Sequence, residues 1–216
     1  MMEPDEIEIR VAGCLVEKQR TTPDVYPLSV NALRLACNQS TNRDPVVDYD
    51  EETVVEALRR LALRGWTRLA SGAGSRARKY RHLLDEALDV EGPEISLLAI
   101  LMLRGAQTPG QLKQRSERLY DFESLPAVHE TLERLVERGL VARHPRRPGQ
   151  KEKRYEHLLG SAAAPDDAAA TVEDGADQPA AAVNGPPPAD RLERIEREVA
   201  ELRRQLATLR DELGGG

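Results

Sequence analysis

The chain has 216 residues, 40% of them apolar and only 3% aromatic, with a formal net charge of -6. That length holds one or two domains, whose cores Leu, Val and Ala must fill. No N-terminal apolar run resembles a signal peptide, and the longest apolar stretch, residues 97–103, is too short to cross a bilayer; a soluble, cytoplasmic protein with no membrane contact is expected.

The acidity is unevenly placed. Residues 1–84 hold 13 basic and 12 acidic side chains, residues 85–160 hold 12 and 13, and residues 161–216 hold 6 and 12. The first two segments are thus close to neutral, and local basic patches on a neutral body suit phosphate contact.

In chain order, Ile7, Val11, Cys14 and Leu15 recur at helical spacing and predict a helix over residues 5–18. Ser29 is a candidate N-cap for a second helix carrying Val30, Leu33 and Cys37, which ends near the polar run 38–44. Asp50 caps a third, with Val54, Leu58, Leu61 and Ala62 inward, and Gly65 stops it. Residues 66–70 and 78–82 read as two strands around a Gly-rich turn.

The same order then recurs. Pro93 precedes an almost wholly apolar helix over residues 95–103, Thr108 to Gln111 form a capping box, and Ser124 with Pro126 opens a third helix. Strands at residues 140–144 and 153–157 flank a turn with Pro145, Pro148 and Gly149. The repeat is visible residue by residue: Glu56, Leu58, Arg60, Leu61, Arg64 and Gly65 match Glu130, Leu132, Arg134, Leu135, Arg138 and Gly139. Tyr80, His82, Leu83 and Leu84 match Tyr155, His157, Leu158 and Leu159. Two copies of so long a period indicate duplicated small domains rather than a solenoid.

Residues 161–188 are rich in Ala, Pro and Asp and read as a disordered linker, since they cannot bury enough apolar surface to offset chain entropy. Beyond it Leu192, Ile195, Val199, Leu202, Leu206, Leu209 and Leu213 alternate spacings of three and four, the pattern of a coiled coil. A parallel homo-oligomer, most simply a dimer, is expected; the alternative is an amphipathic helix docked on the chain's own globular part.

The expected fold is therefore mainly α with small β-hairpins (α+β). Two tandem winged helix-turn-helix domains occupy residues 1–84 and 85–160, the linker residues 161–188, and the coiled-coil helix residues 189–213.

Several runs resemble a known family. Glu17-Lys18-Gln19, Thr21-Thr22-Pro23-Asp24, Tyr26-Pro27-Leu28-Ser29, Ala36-Cys37-Asn38-Gln39 and Asn42-Arg43-Asp44-Pro45-Val46 look like the YceH family of bacterial proteins. Leu101-Met102-Leu103-Arg104-Gly105 with Gln107-Thr108-Pro109-Gly110 resembles its second signature. The resemblance implies tandem winged helices in a bacterial cytoplasmic setting. It carries over no catalytic residue and no cofactor.

Catalytic chemistry finds no motif: the four histidines are scattered, and no phosphate loop, nucleophile elbow or His-Glu-x-x-His run occurs. Cys14 and Cys37 read as buried free thiols rather than a disulfide or zinc pair. His82 and His157, two residues after a Tyr, are expected to close the hairpin strand onto the domain.

Nucleic-acid contact is expected at the hairpins: Arg76, Arg78, Lys79 and Arg81 in the first copy, and Arg143, Arg146, Arg147, Lys151, Lys153 and Arg154 in the second, which carries more charge. Asn42 and Arg43 in the polar loop are further candidates. The third helices argue the other way, because their early turns carry Glu51, Glu52, Glu56, Glu123 and Glu130. Arg60 and Arg134 are expected to pair with Glu56 and Glu130 one turn earlier. Two functions fit: a non-enzymatic, double-stranded-DNA-binding regulator, or a protein interaction module built on winged helices.

Overall fold

A computed structural model describes residues 3–70, 78–146 and 152–160. Among them are seven α-helices and five short strands, an α+β arrangement. Helix α1 (Glu6–Thr21), strand β1 (Leu28–Ser29), α2 (Val30–Cys37), α3 (Glu51–Leu63), β2 (Thr67–Leu69) and β3 (Lys79–His82) form the first copy. Helix α4 (Leu84–Leu88) leads into α5 (Gly92–Arg104), α6 (Pro109–Ser116), α7 (Leu125–Glu137), β4 (Val141–His144) and β5 (Arg154–His157).

Helix starts follow the expected caps. The side chains of Ser29, Asp50, Thr108 and Ser124 each accept from the backbone N–H three residues on. Helix α1 runs three residues past its expected end, and at its start Asp5 and Glu8 form a capping box. Gly65 and Gly139 follow α3 and α7 at φ 75° and 70°, a left-handed conformation that glycine adopts without steric cost.

The duplication extends into the hydrogen bonds. Trp66 N–H donates to Leu61 O and Leu140 N–H to Leu135 O, both at 2.9 Å. Leu83 N–H then donates to Trp66 O, and Leu158 N–H to Leu140 O. In the first copy β3 pairs antiparallel with β2 and also with β1, where Leu28 faces Tyr80. The second copy keeps this as a single bridge, Gln107 facing Tyr155. Leu28 and Gln107 are each the residue before an N-cap, so the likeness between copies begins earlier than the sequence match.

Helices α1 and α5 join the copies. Residues 8–16 of α1 and 94–103 of α5 are buried without interruption, so each helix is enclosed on every side rather than amphipathic. They pack closely. A Cβ on Gly13 would lie 3.1 Å from Leu103 Cγ and 3.2 Å from Met102 Cβ. One continuous apolar cluster therefore holds Leu15, Leu33 and Leu61 of the first copy with Leu98, Leu112 and Leu132 of the second. Each such Leu contributes about 1.5–3 kcal/mol on burial. At the far end Gly160 folds against the N-terminus, where a Cβ would meet Pro4 O at 2.6 Å.

Buried polar groups follow the repeat as well. Glu8 and Glu94, each the third residue of its helix and the partner in a capping box, are 2% and 6% exposed. Glu8 accepts from Arg64 Nε at 2.9 Å and lies 3.9 Å from Arg60; Glu94 lies 3.4 Å from Arg134 and 3.6 Å from Arg138. The expected pairs within α3 and α7 are also present, Glu56–Arg60 at 3.9 Å and Glu130–Arg134 at 3.2 Å. Arg64 is thus tied to the first helix of its copy, whereas Arg134 is shared between Glu94 and Glu130.

Cys14 and Cys37 are free, buried thiols. Hydrogen bonding to Cys14, with burial, holds the Cys37 thiol above the usual thiol range.

Candidate functional site

The hairpins place their cations unequally. On β3, Lys79 and Arg81 alternate with Tyr80 and His82, so the two pairs occupy opposite faces. Arg81 lies directly across from Arg68 of β2, a residue the sequence reading passed over. Like charges directly opposite each other destabilise a ladder. Among the described residues Arg81 has one carboxylate within 4.0 Å, Glu86 at 3.6 Å; Arg68, Arg78 and Lys79 are exposed.

The inner face is structural. His82 Nδ1 accepts from Leu84 N–H at 3.3 Å, and His157 Nδ1 accepts from Leu159 N–H at 3.4 Å, so both histidines close their strands onto the body. His82 Nε2 meets Gln19 Oε1, and the His82 N–H donates to the Tyr26 hydroxyl at 2.8 Å. Burial lowers the His82 pKa to about 4, Asp85 opposing and Arg81 and Arg20 reinforcing. Burial also lowers that of His157, with Glu156 opposing.

In the second copy fewer cations are available than the sequence suggests. Arg143 pairs with Glu133 of α7 at 3.1 Å, and Arg154 donates to Ala106 O at 3.1 Å. Arg146 and Lys153 are exposed, and no carboxylate of the described residues lies within 4.0 Å of either. Arg76, Arg147 and Lys151 lie outside the described residues, as do all seven positions from Leu192 to Leu213.

Arg43 is not where phosphate contact requires it. Its side chain is 0% exposed, and it grips Glu17 of α1 with two bonds, at 3.0 Å and 2.6 Å. It also donates to Ala36 O, Asn42 O and Gln39 Oε1. A polar loop suggests solvent, but the partner carboxylate stands 26 residues earlier and draws the guanidinium inward. Asn42 stays exposed at φ 60°, and its side-chain oxygen accepts from Arg104 Nη1 at 2.6 Å. Asp44 N–H donates to Leu103 O at 2.9 Å, fixing the loop to the end of α5.

This joint borders a cleft of about 260 Å³ between α1, the 38–44 loop, α5 and α6. Lys18, Arg104, Arg115 and Arg118 line it, with Glu17 the carboxylate among the lining residues. Burial lowers the pKa of Arg104, opposed by Asp44 and reinforced by Arg43. Burial also lowers that of Arg115, reinforced by Arg104 and Arg154. Of the candidates named from the sequence Asn42 lies on its wall, but the cations of the cleft were not singled out, because they come from positions as much as 100 residues apart, Lys18 and Arg118. Among the described residues no group of three His, Cys, Asp or Glu side chains could hold a metal ion, and no helix is long and apolar enough to cross a membrane.

A family model described as "Protein of unknown function, DUF480" matches residues 5–150. The chain belongs to the DUF480 family. Among its relatives, a "UPF0502 protein" of Geotalea daltonii is 47% identical over 202 residues, covering 93% of this chain and 84% of the relative. Those of Pseudomonas savastanoi pv. phaseolicola and Pseudomonas syringae pv. tomato are 44% and 41% identical, covering 94% and 96% of this chain and 90% and 92% of their own. This bacterial distribution agrees with the YceH-type assignment drawn from the motifs. The DUF480 match covers the first copy, the joint around Arg43 and the second copy as far as residue 150, short of β5.

Proposed function

We propose that this DUF480 protein is a non-enzymatic, DNA-binding regulatory protein whose two copies are winged helix-turn-helix modules with the hairpins as wings. The observation that carries the reading is the Arg68–Arg81 pair, opposed on one hairpin face that also bears Lys79. Such a pair costs stability in the free protein, and a phosphate group between the two would offset that cost. Exposed Arg146 and Lys153 give the second hairpin a similar, smaller surface.

Contact through wings alone supports binding with little base preference. The early turns of α3 carry Glu51, Glu52 and Glu56 outward, which repel phosphate and leave the major groove without a reader. Heptads over residues 189–213 would pair chains through the 161–188 tether, bringing four modules onto one duplex. Deleting residues 190–216 should then halve the mass in solution; an unchanged mass sinks the oligomer claim.

The combined variant Arg68→Ala, Lys79→Ala, Arg146→Ala and Lys153→Ala should weaken binding to unrelated duplexes alike. Unaltered affinity would remove the wings from the account. A second reading, a protein interaction module, is favoured by α3 itself, where Val55 is 45% exposed beside Glu51, Glu52 and Glu56. Capture of a basic partner by this face, with duplex binding absent, would establish it.

A further inference from the structure

We propose that the cleft between the two copies is a binding site for a small phosphate-bearing molecule. Four cationic groups line it, Lys18, Arg104, Arg115 and Arg118, against one lining carboxylate, Glu17, behind which Arg43 is enclosed. Glu17 is already held by two bonds from Arg43, with Lys18 Nζ at 3.5 Å, so its charge is neutralised from behind. Among the described residues no carboxylate lies within 4.0 Å of Arg104, Arg115 or Arg118.

Guanidinium groups near one another in a half-enclosed recess, with no carboxylate partner, are costly without an anion even where one of them, Arg104, donates to Asn42. Arg104 and Arg115 are both partly buried there and both disfavoured as cations, Arg115 further by Arg104 and Arg154. Bidentate donors suit phosphate oxygens, and the Thr41 hydroxyl stands on the same walls as an additional donor, while those of Thr21 and Thr22 donate to Glu17 O and Lys18 O.

The remaining wall is apolar, formed by Ile100, Leu103 and Leu119. It suits the organic body of a phosphate ester. A volume of about 260 Å³ lies just under the ~300–1,000 Å³ of most ligand pockets, which admits a small monophosphate or a diphosphate head rather than a larger cofactor. A duplex is the less suitable occupant, because its phosphates stand on a convex backbone and would leave the apolar wall uncovered. Walls come from α1 and the 38–44 loop on one side and α5 and α6 on the other, so the ligand would touch both copies at once.

The site shares no residue with the exposed hairpin cations, so its failure and that of the duplex reading are distinguishable. Calorimetric titration of the full chain with pyrophosphate and with ribose 5-phosphate, at matched ionic strength, should give saturable binding. Arg115→Gln and Arg118→Gln should each weaken it about ten-fold or more. Arg118 is exposed and outside every described ion pair, so its variant keeps the fold, checked by circular dichroism. The Arg146→Ala, Lys153→Ala variant should bind both probes as the parent does. The proposal is overturned if neither probe binds at millimolar concentration, or if binding ignores Arg115→Gln and Arg118→Gln. It is equally overturned if those variants weaken duplex binding while the small probes do not bind, which would make the cleft a DNA phosphate contact.

Discussion

Acidification between pH 6.5 and 4 adds a proton to His82 in the unfolded chain but not in the folded one. The residue is 1% exposed, and its partners fix one tautomer: Nδ1 accepts from Leu84 N–H, so Nε2 carries the proton toward Gln19 Oε1. Burial holds the folded pKa near 4, against 6.5 for a free histidine. Because the folded value is the lower one, this stability is complete above pH 6.5 and is lost progressively as the pH falls toward 4. At about 1.4 kcal/mol per pH unit, the interval is worth about 3 kcal/mol, a large share of the ~5–15 kcal/mol that holds a domain folded. Urea unfolding at pH 7, 6 and 5 should show the parent losing about 2 kcal/mol more over that range than His82→Gln, which has no proton to gain. Both proteins keep His157, so its contribution cancels. Equal pH slopes in the two proteins would refute the reasoning.

Gly13→Ala improves helix propensity by about 1 kcal/mol, yet it should destabilise the protein by about 1–2 kcal/mol net, because the new methyl meets the anchored Cβ of Met102 and the Leu103 side chain. A rise in melting temperature would contradict the close α1–α5 packing. Glu94→Gln keeps the capping-box hydrogen bonds but removes the charge that Arg134 and Arg138 share. It should cost about 1–3 kcal/mol, read as a fall of several degrees in melting temperature; no change would mean that the buried carboxylate is not the tie between α5 and α7.

Local signals were legible in the sequence and long-range ones were not. Ser29, Asp50, Thr108 and Ser124 act as caps, and Gly65 and Gly139 as stops, because each works through backbone groups a few residues away. The histidine roles at 82 and 157 could be read from the repeat for the same reason. By contrast α1 looks amphipathic because Glu8 and Arg10 interrupt its apolar spacing, and only their distant partners, Arg64 for Glu8 and the carbonyls of Cys37 and Pro45 for Arg10, allow them inside. Arg43 misleads in the same way through Glu17. Strand β1, two residues long, exists by virtue of β3 some 50 residues later and has no periodicity of its own to detect. Within the hairpins, cation content could be counted, but which cations are spent on Glu133 or Ala106 depends on the fold.

The measurement that tests the central claim most directly is the salt dependence of binding to a random duplex. With Arg68 and Arg81 sharing one phosphate and Lys79, Arg146 and Lys153 each neutralising another, about four in all, the logarithm of affinity should fall against that of salt concentration with a slope of about -3.6 per chain. The quadruple alanine variant, which keeps only Arg81 of these, should make it much shallower. Absence of binding at low salt, or a slope that the variant leaves unchanged, would contradict the account.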